Sequence, residues 1–123
     1  MTAVLLSLVM MAALEPGVYK GKWQGDNGDS GDLNITLAKA DKGFTATVSF
    51  TTGGEEVKAQ VTSVKVVDSK LTIVMTFEMG DSKSEATLEG EAKGSTIEGK
   101  YVSRIVPSGE VGSQGTWSVS AAK

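Results

Sequence analysis

Three carboxylates fall within seven residues in Asp26-Asn27-Gly28-Asp29-Ser30-Gly31-Asp32, and such a cluster invites a divalent cation. The spacing does not complete a calcium loop. Counted from Asp26, the third and fifth positions are Gly28 and Ser30, and no Glu occupies the twelfth. Asn, Asp, Gly and Ser are also the residues that build turns between strands. The segment is therefore expected to be a connecting loop, with weak Ca²⁺ binding as the alternative.

The chain has no His and no Cys. Lack of His removes the usual general base and the commonest transition-metal ligand, and lack of Cys removes thiolate nucleophiles, zinc–thiolate sites and disulfides. Ser–His and Cys–His catalysis are excluded outright. An enzyme would have to work with a carboxylate, Lys or Tyr, and no strand register brings two carboxylates together in a cleft. A non-catalytic protein without a cofactor is expected. A net charge of −3, with no basic run, leaves no footprint for nucleic acid or for an anionic membrane surface.

Apolar recognition is the chemistry that remains. Trp23, Phe44, Phe50, Met75, Phe77, Tyr101 and Trp117 are the residues expected to line an interior pocket, with Tyr19 and Tyr101 as polar handles. With no charged group expected to point inward, the ligand would be a lipid-like or aromatic small molecule. The competing reading is a solid core. In that case the chain is a structural or protein-interaction module acting through its surface or its N-terminal segment. Val74, Val102 and Val106 are expected to face outward and would form a small patch for such a role.

The elements that hold these side chains follow a period of two from residue 17 onward. Strands are expected at 18–24, 32–38, 44–51, 57–67, 70–79, 83–91, 96–106 and 115–121. Alternation is clear in Leu33/Ile35/Leu37, Phe44/Ala46/Val48/Phe50 and Leu71/Ile73/Met75/Phe77/Met79. Within 57–67 the apolar parity slips from Val57/Ala59/Val61 to Val64/Val66, which predicts a β-bulge near Thr62-Ser63.

Turn chemistry then fixes the pairing. Gly80-Asp81 sets Met79 opposite Ser82, Met75 opposite Ala86 and Ile73 opposite Leu88. Asp68-Ser69 sets Val66 against Leu71. Lys93-Gly94 sets Leu88 against Gly99 and Gly90 against Ile97. In each hairpin the apolar residues land on one face, as a wrong register would not allow. Pro107 to Gly115 is expected to be the longest loop.

Eight consecutive antiparallel strands with one apolar face predict an all-β fold, an eight-stranded up-and-down β-barrel, with a two-sheet sandwich as the alternative. Closure would pair the first strand with the last. Each carries one of the two tryptophans in a Gly-x-Trp triplet, Gly21-Lys22-Trp23 and Gly115-Thr116-Trp117, so the triplets should be neighbours in space. Inward glycines Gly21, Gly90 and Gly99 would permit the coiling of a small barrel.

With Gly21-Lys22-Trp23 on its first strand, the chain resembles the calycin group of lipocalins, fatty-acid-binding proteins and avidins. "GKWQG", short strands, "IEGKY" at Ile97–Tyr101 and a terminal "GTW" are also similar to small bacterial barrel modules, some of which precede secreted hydrolases. The resemblance implies a ligand-holding barrel whose Trp23 packs across the closed end. Departures are visible: the only arginine, Arg104, lies one strand before the last, and no residues follow 121 that could form the lipocalin C-terminal helix. The polar residues with which avidins hold their ligand lack clear counterparts.

Met1 to Leu14 is apolar and uncharged. As a helix it would span about 21 Å, too short for a bilayer core of about 30 Å, so no membrane span is expected. The segment resembles the apolar part of a secretory signal peptide, with Ala12-Ala13 as the processing neighbourhood but without a positive start. A secreted or periplasmic protein is expected. In the alternative the segment is retained, as a packed element or as an anchor in weak association with a membrane. A single barrel domain over 17–121 follows it.

Overall fold

The computed structural model describes residues 14–41, 43–79 and 81–122. Eight strands follow in order: β1 (Gly17–Gly25), β2 (Ser30–Ala40), β3 (Gly43–Thr52), β4 (Glu55–Val67), β5 (Lys70–Met79), β6 (Ser82–Lys93), β7 (Thr96–Val106) and β8 (Val111–Ala121). Each pairs antiparallel with the next, and β1 pairs with β8, so the sheet closes into a barrel. Closure satisfies both edges and overturns the sandwich alternative. Residues 1–13, read above as a signal peptide or anchor, lie outside the described residues. Among the described residues no helix is long and apolar enough to cross a membrane.

Period-two patterning becomes inside and outside as expected. On β2, Leu33, Ile35 and Leu37 are buried while Asp32, Thr36 and Ala38 are exposed. On β5, Leu71, Ile73 and Met75 are buried. Each fully buried aliphatic side chain contributes roughly 1.5–3 kcal/mol of transfer free energy. The seam between β1 and β8 sets Trp23 directly opposite Trp117 and Gly21 opposite Val119. The two Gly-x-Trp triplets are neighbours.

Registers match the expectation at two hairpins and differ at a third. Met79 faces Ser82, Met75 faces Ala86, Ile73 faces Leu88, and Val66 faces Leu71. Between β6 and β7, however, Lys93 pairs with Thr96, so Gly90 faces Gly99 and Leu88 faces Tyr101. The turn is Gly94-Ser95 rather than Lys93-Gly94. Gly94 takes a positive φ of 68°, the conformation that favours Gly in the first turn position. A shift of two residues keeps every side chain on its expected face, so hydrophobic parity could not detect it.

Two bulges shape the barrel. The one predicted near Thr62-Ser63 is present: the register shifts between Val61 and Ser63, and Thr62 Oγ1 donates to Val74 O at 3.1 Å. The second was not expected. Ser103 pairs with Ser113 and Arg104 with Val111, leaving Gly112 as the extra residue. This bulge lets β8 begin at Val111, so the supposed loop over 107–115 shrinks to residues 107–110.

The barrel has two unlike ends. At one end lie residues 14–16, the turns after β2, β4 and β6, and the C-terminus. Leu14, only 9% exposed, joins Tyr19, Leu37, Leu71, Ile97 and Val119 in the core there. Tyr19 donates its hydroxyl to Glu15 O at 2.7 Å, which draws residues 14–16 toward β1. The other end carries the connections after β1, β3, β5 and β7, and it is there that the interior is hollow.

Candidate functional site

Each tryptophan reaches the mouth half of the barrel by leaning across a glycine on another strand, the next one for Trp23 and the next but one for Trp117. From β1, the Trp23 indole passes over Gly31 of β2, where an added Cβ would come within 2.7 Å of Nε1. Its N–H then donates to Thr51 O on β3 at 2.9 Å. From β8, Trp117 lies over Gly90 of β6, where a Cβ would stand 2.6 Å from Cζ2 and 2.7 Å from Cη2. The Trp117 N–H donates to Lys100 O of β7 at 3.0 Å. Gly90 therefore does more than permit coiling, because it leaves room for a ring; at Gly99 an added Cβ would meet only the backbone of β6.

Between these indoles is a cavity of about 350 Å³, within the ~300–1,000 Å³ of small-molecule sites. Leu33, Phe50, Met75, Phe77 and Leu88 line it with Trp23 and Trp117. Phe50 and Phe77 meet edge to face at 5.0 Å between centroids, and Trp23 and Tyr101 do so at 6.0 Å. Exposed Asp29 and Ser82 stand among the lining residues, so the cavity reaches solvent at the mouth.

Six of the seven residues expected to line a pocket, Trp23, Phe50, Met75, Phe77, Tyr101 and Trp117, line this cavity. Phe44 does not. It has the inward parity of Phe50 but stands six residues away on β3, about 20 Å along the strand, where it packs on the core at the closed end. Lys39 Nζ lies 6.0 Å from its ring. Tyr19 is likewise at the closed end. Trp23, placed at the closed end by the resemblance, lies at the mouth instead; Leu14 and Tyr19 occupy the position implied for it. Inward Met79 falls on a side chain outside the described residues.

The cavity is not wholly apolar, as the alternation had implied. Ser84 of β6, Tyr101 and Ser103 of β7 and Ser113 of β8 put hydroxyls on one wall. Tyr101 and Ser113 share a hydrogen bond of 2.8 Å. Burial holds the Tyr101 hydroxyl above its ordinary pKa, the bond to Ser113 opposes this, and the carboxylates of Asp26 and Asp29 add to it. Room for that hydroxyl comes from Gly25, where a Cβ would be 3.1 Å from it. Sequence reasoning passed over the serines because Ser also marks the outward positions of these strands. Ser103 shares the inward parity of Ile97 and Tyr101 on β7, and Ser113 that of Trp117 and Val119 on β8; the structure adds that the two stand directly opposite each other.

Of Asp26–Asp32, expected to be a loop throughout, only residues 26–29 connect the strands, because β2 already begins at Ser30, and Asn27 and Asp29 serve the turn's own geometry. Asn27 Nδ2 donates to Asp29 Oδ2 and the Asp29 N–H to Asn27 Oδ1, both at 3.2 Å, while Asp32 pairs with Lys22 at 2.9 Å. Among the described residues no three acidic side chains converge in a way that could hold a metal ion. On the outer surface Val74 and Val102 flank Thr87 across β5, β6 and β7, half-exposed, and Val106 is exposed. Compared with protein-family models, curated proteins and solved structures, the chain matches none.

Proposed function

We propose that this chain is a non-catalytic, calycin-like β-barrel that binds a small hydrophobic ligand in the mouth half of its interior and works outside the cytoplasm. The observation that carries the reading is the cavity of about 350 Å³ walled by two tryptophans, two phenylalanines and a methionine. Water gains little from such a wall, and a ligand that covers it regains the apolar transfer energy, about 25 cal/mol per Å². The hollow half favours this reading over a solid-core interaction module. Export rests on the signal-like character of Met1–Leu14.

Thermal unfolding with a panel of fatty acids and neutral aromatic probes tests the proposal. A ligand at a hundred times its Kd stabilises the folded chain by about 2.7 kcal/mol. At about 4 °C per kcal/mol for a chain of this size, the midpoint should rise on the order of 10 °C. Trp23 and Trp117 emission should change in step. A panel with no shift and no change in emission would overturn the reading.

A further inference from the structure

Resting on that reading of the cavity, we propose that its ligand is a small uncharged molecule with an aromatic or alicyclic body and one hydroxyl or carbonyl group, and that carboxylates are refused. The body is set by one wall. Phe50, Phe77, Trp23 and Trp117 offer ring faces and edges, which match flat carbon frameworks better than extended chains. At ~30 Å³ per water the cavity has room for about a dozen waters, enough for a fused two-ring molecule.

The polar group is set by the other wall. Tyr101 and Ser113 are paired with each other. Ser103 is 7% exposed, the one buried polar residue among the described ones, and neither it nor Ser84 makes a side-chain hydrogen bond to another described residue. Among the described residues no fully buried side-chain N or O atom lacks a partner. The Ser103 hydroxyl therefore keeps contact with open space, and the space beside it is the cavity. A hydroxyl can donate or accept, so it meets an alcohol or a carbonyl equally well. An entering apolar body without such a group would strip water from Ser103 and return nothing.

Charge sets the exclusion. No Lys or Arg lines the cavity among the described residues. The exposed Arg104 turns its guanidinium to Gly109 O at 3.1 Å, away from the interior. Among the described residues the one charged lining residue is Asp29, at the rim. A carboxylate drawn inside would lose its hydration without gaining a cation, and would pass an acidic rim to get there.

Calorimetric titration of the full chain at neutral pH with naphthol, naphthalene and naphthoate tests this, since the three share one body. Naphthol should bind about three- to tenfold tighter than naphthalene, the worth of one net hydrogen bond, and naphthoate at least about a hundredfold weaker than naphthol. In Ser103→Ala, naphthalene should bind tighter, because no hydroxyl is left to desolvate, and naphthol should lose its advantage, so that the two bind alike. If naphthol and naphthalene bind alike, or naphthoate binds as tightly as naphthol, this inference is overturned and the cavity reading stands. If none of the three binds, this inference falls, and the fatty-acid arm of the thermal-unfolding panel decides the cavity reading. The comparison on the unmutated chain decides the matter even if the variant does not fold.

Discussion

Replacing Gly90 by Ala should destabilise the barrel, although the backbone at this position argues the other way. Gly90 does not have a positive φ, so an Ala there restricts the unfolded chain and would ordinarily stabilise by about 0.4–1 kcal/mol. Against this, the new Cβ would stand 2.6 Å from Trp117 Cζ2, where carbon atoms prefer about 3.5–4.0 Å. The indole must therefore move by about 1 Å. It is only 3% exposed, and its N–H is held by Lys100 O at 3.0 Å, so it has little freedom to do so. Overpacking of this kind costs about 1–3 kcal/mol, and loss of the indole hydrogen bond about 1 kcal/mol more. The net effect should be a loss of about 1–3 kcal/mol, or a midpoint lower by about 4–12 °C.

A double-mutant cycle isolates the cause. Trp117→Phe removes the ring atoms that the Cβ would strike, so Gly90→Ala in that background should be neutral or stabilising. The coupling between the two sites should be about 1–3 kcal/mol. Urea unfolding followed by far-ultraviolet circular dichroism reads all four chains with one probe. If Gly90→Ala stabilises the parent chain, or costs the same with Phe at position 117, then Trp117 does not lie over Gly90. The account of how β8 walls the cavity would then be wrong.

Two further predictions concern the closed end and the tyrosines. Leu14→Ala should lower stability by about 2 kcal/mol, seen as a lower urea midpoint with unchanged slope; an unchanged midpoint would mean that Leu14 does not pack on the core. Burial raises the Tyr101 hydroxyl above 10.0, and burial together with the charge of Glu15 raises that of Tyr19. Because the folded values lie above the unfolded one, the stability these groups contribute is complete below pH 10.0 and is lost as pH climbs through the raised values. Tyrosinate absorbance should accordingly appear at higher pH in the native chain than in urea, and coincident titrations would contradict the burial.

Much of this barrel could be read from alternation alone. Leu33/Ile35/Leu37 and Leu71/Ile73/Met75 declare an inner face, and the parity slip before Val64 locates the Thr62 bulge. Parity carries no information about shifts of two. That is why the Gly94-Ser95 turn was misplaced while every face stayed correct. Nor does parity measure depth along the axis. Phe44 and Phe50 point the same way, yet one packs at the closed end and the other walls the cavity. The Gly-x-Trp triplets announced closure, but the glycines that admit the indoles, Gly31 and Gly90, belong to other strands and are invisible to a local motif.

The strand count, the inward face and the pairing of first strand with last were determined by sequence, because each depends on period two, on turn residues and on the need to hide an apolar face. Where the barrel is full and where it is empty was decided only by tertiary structure. That outcome depends on how Leu14 and Tyr19 fill one end and how Trp23 and Trp117 lean apart across Gly31 and Gly90 at the other. It depends also on the β7–β8 register, which sets Ser103 opposite Ser113 facing the space that remains. Local pattern sets which way a side chain points; only the packed whole sets what it meets there.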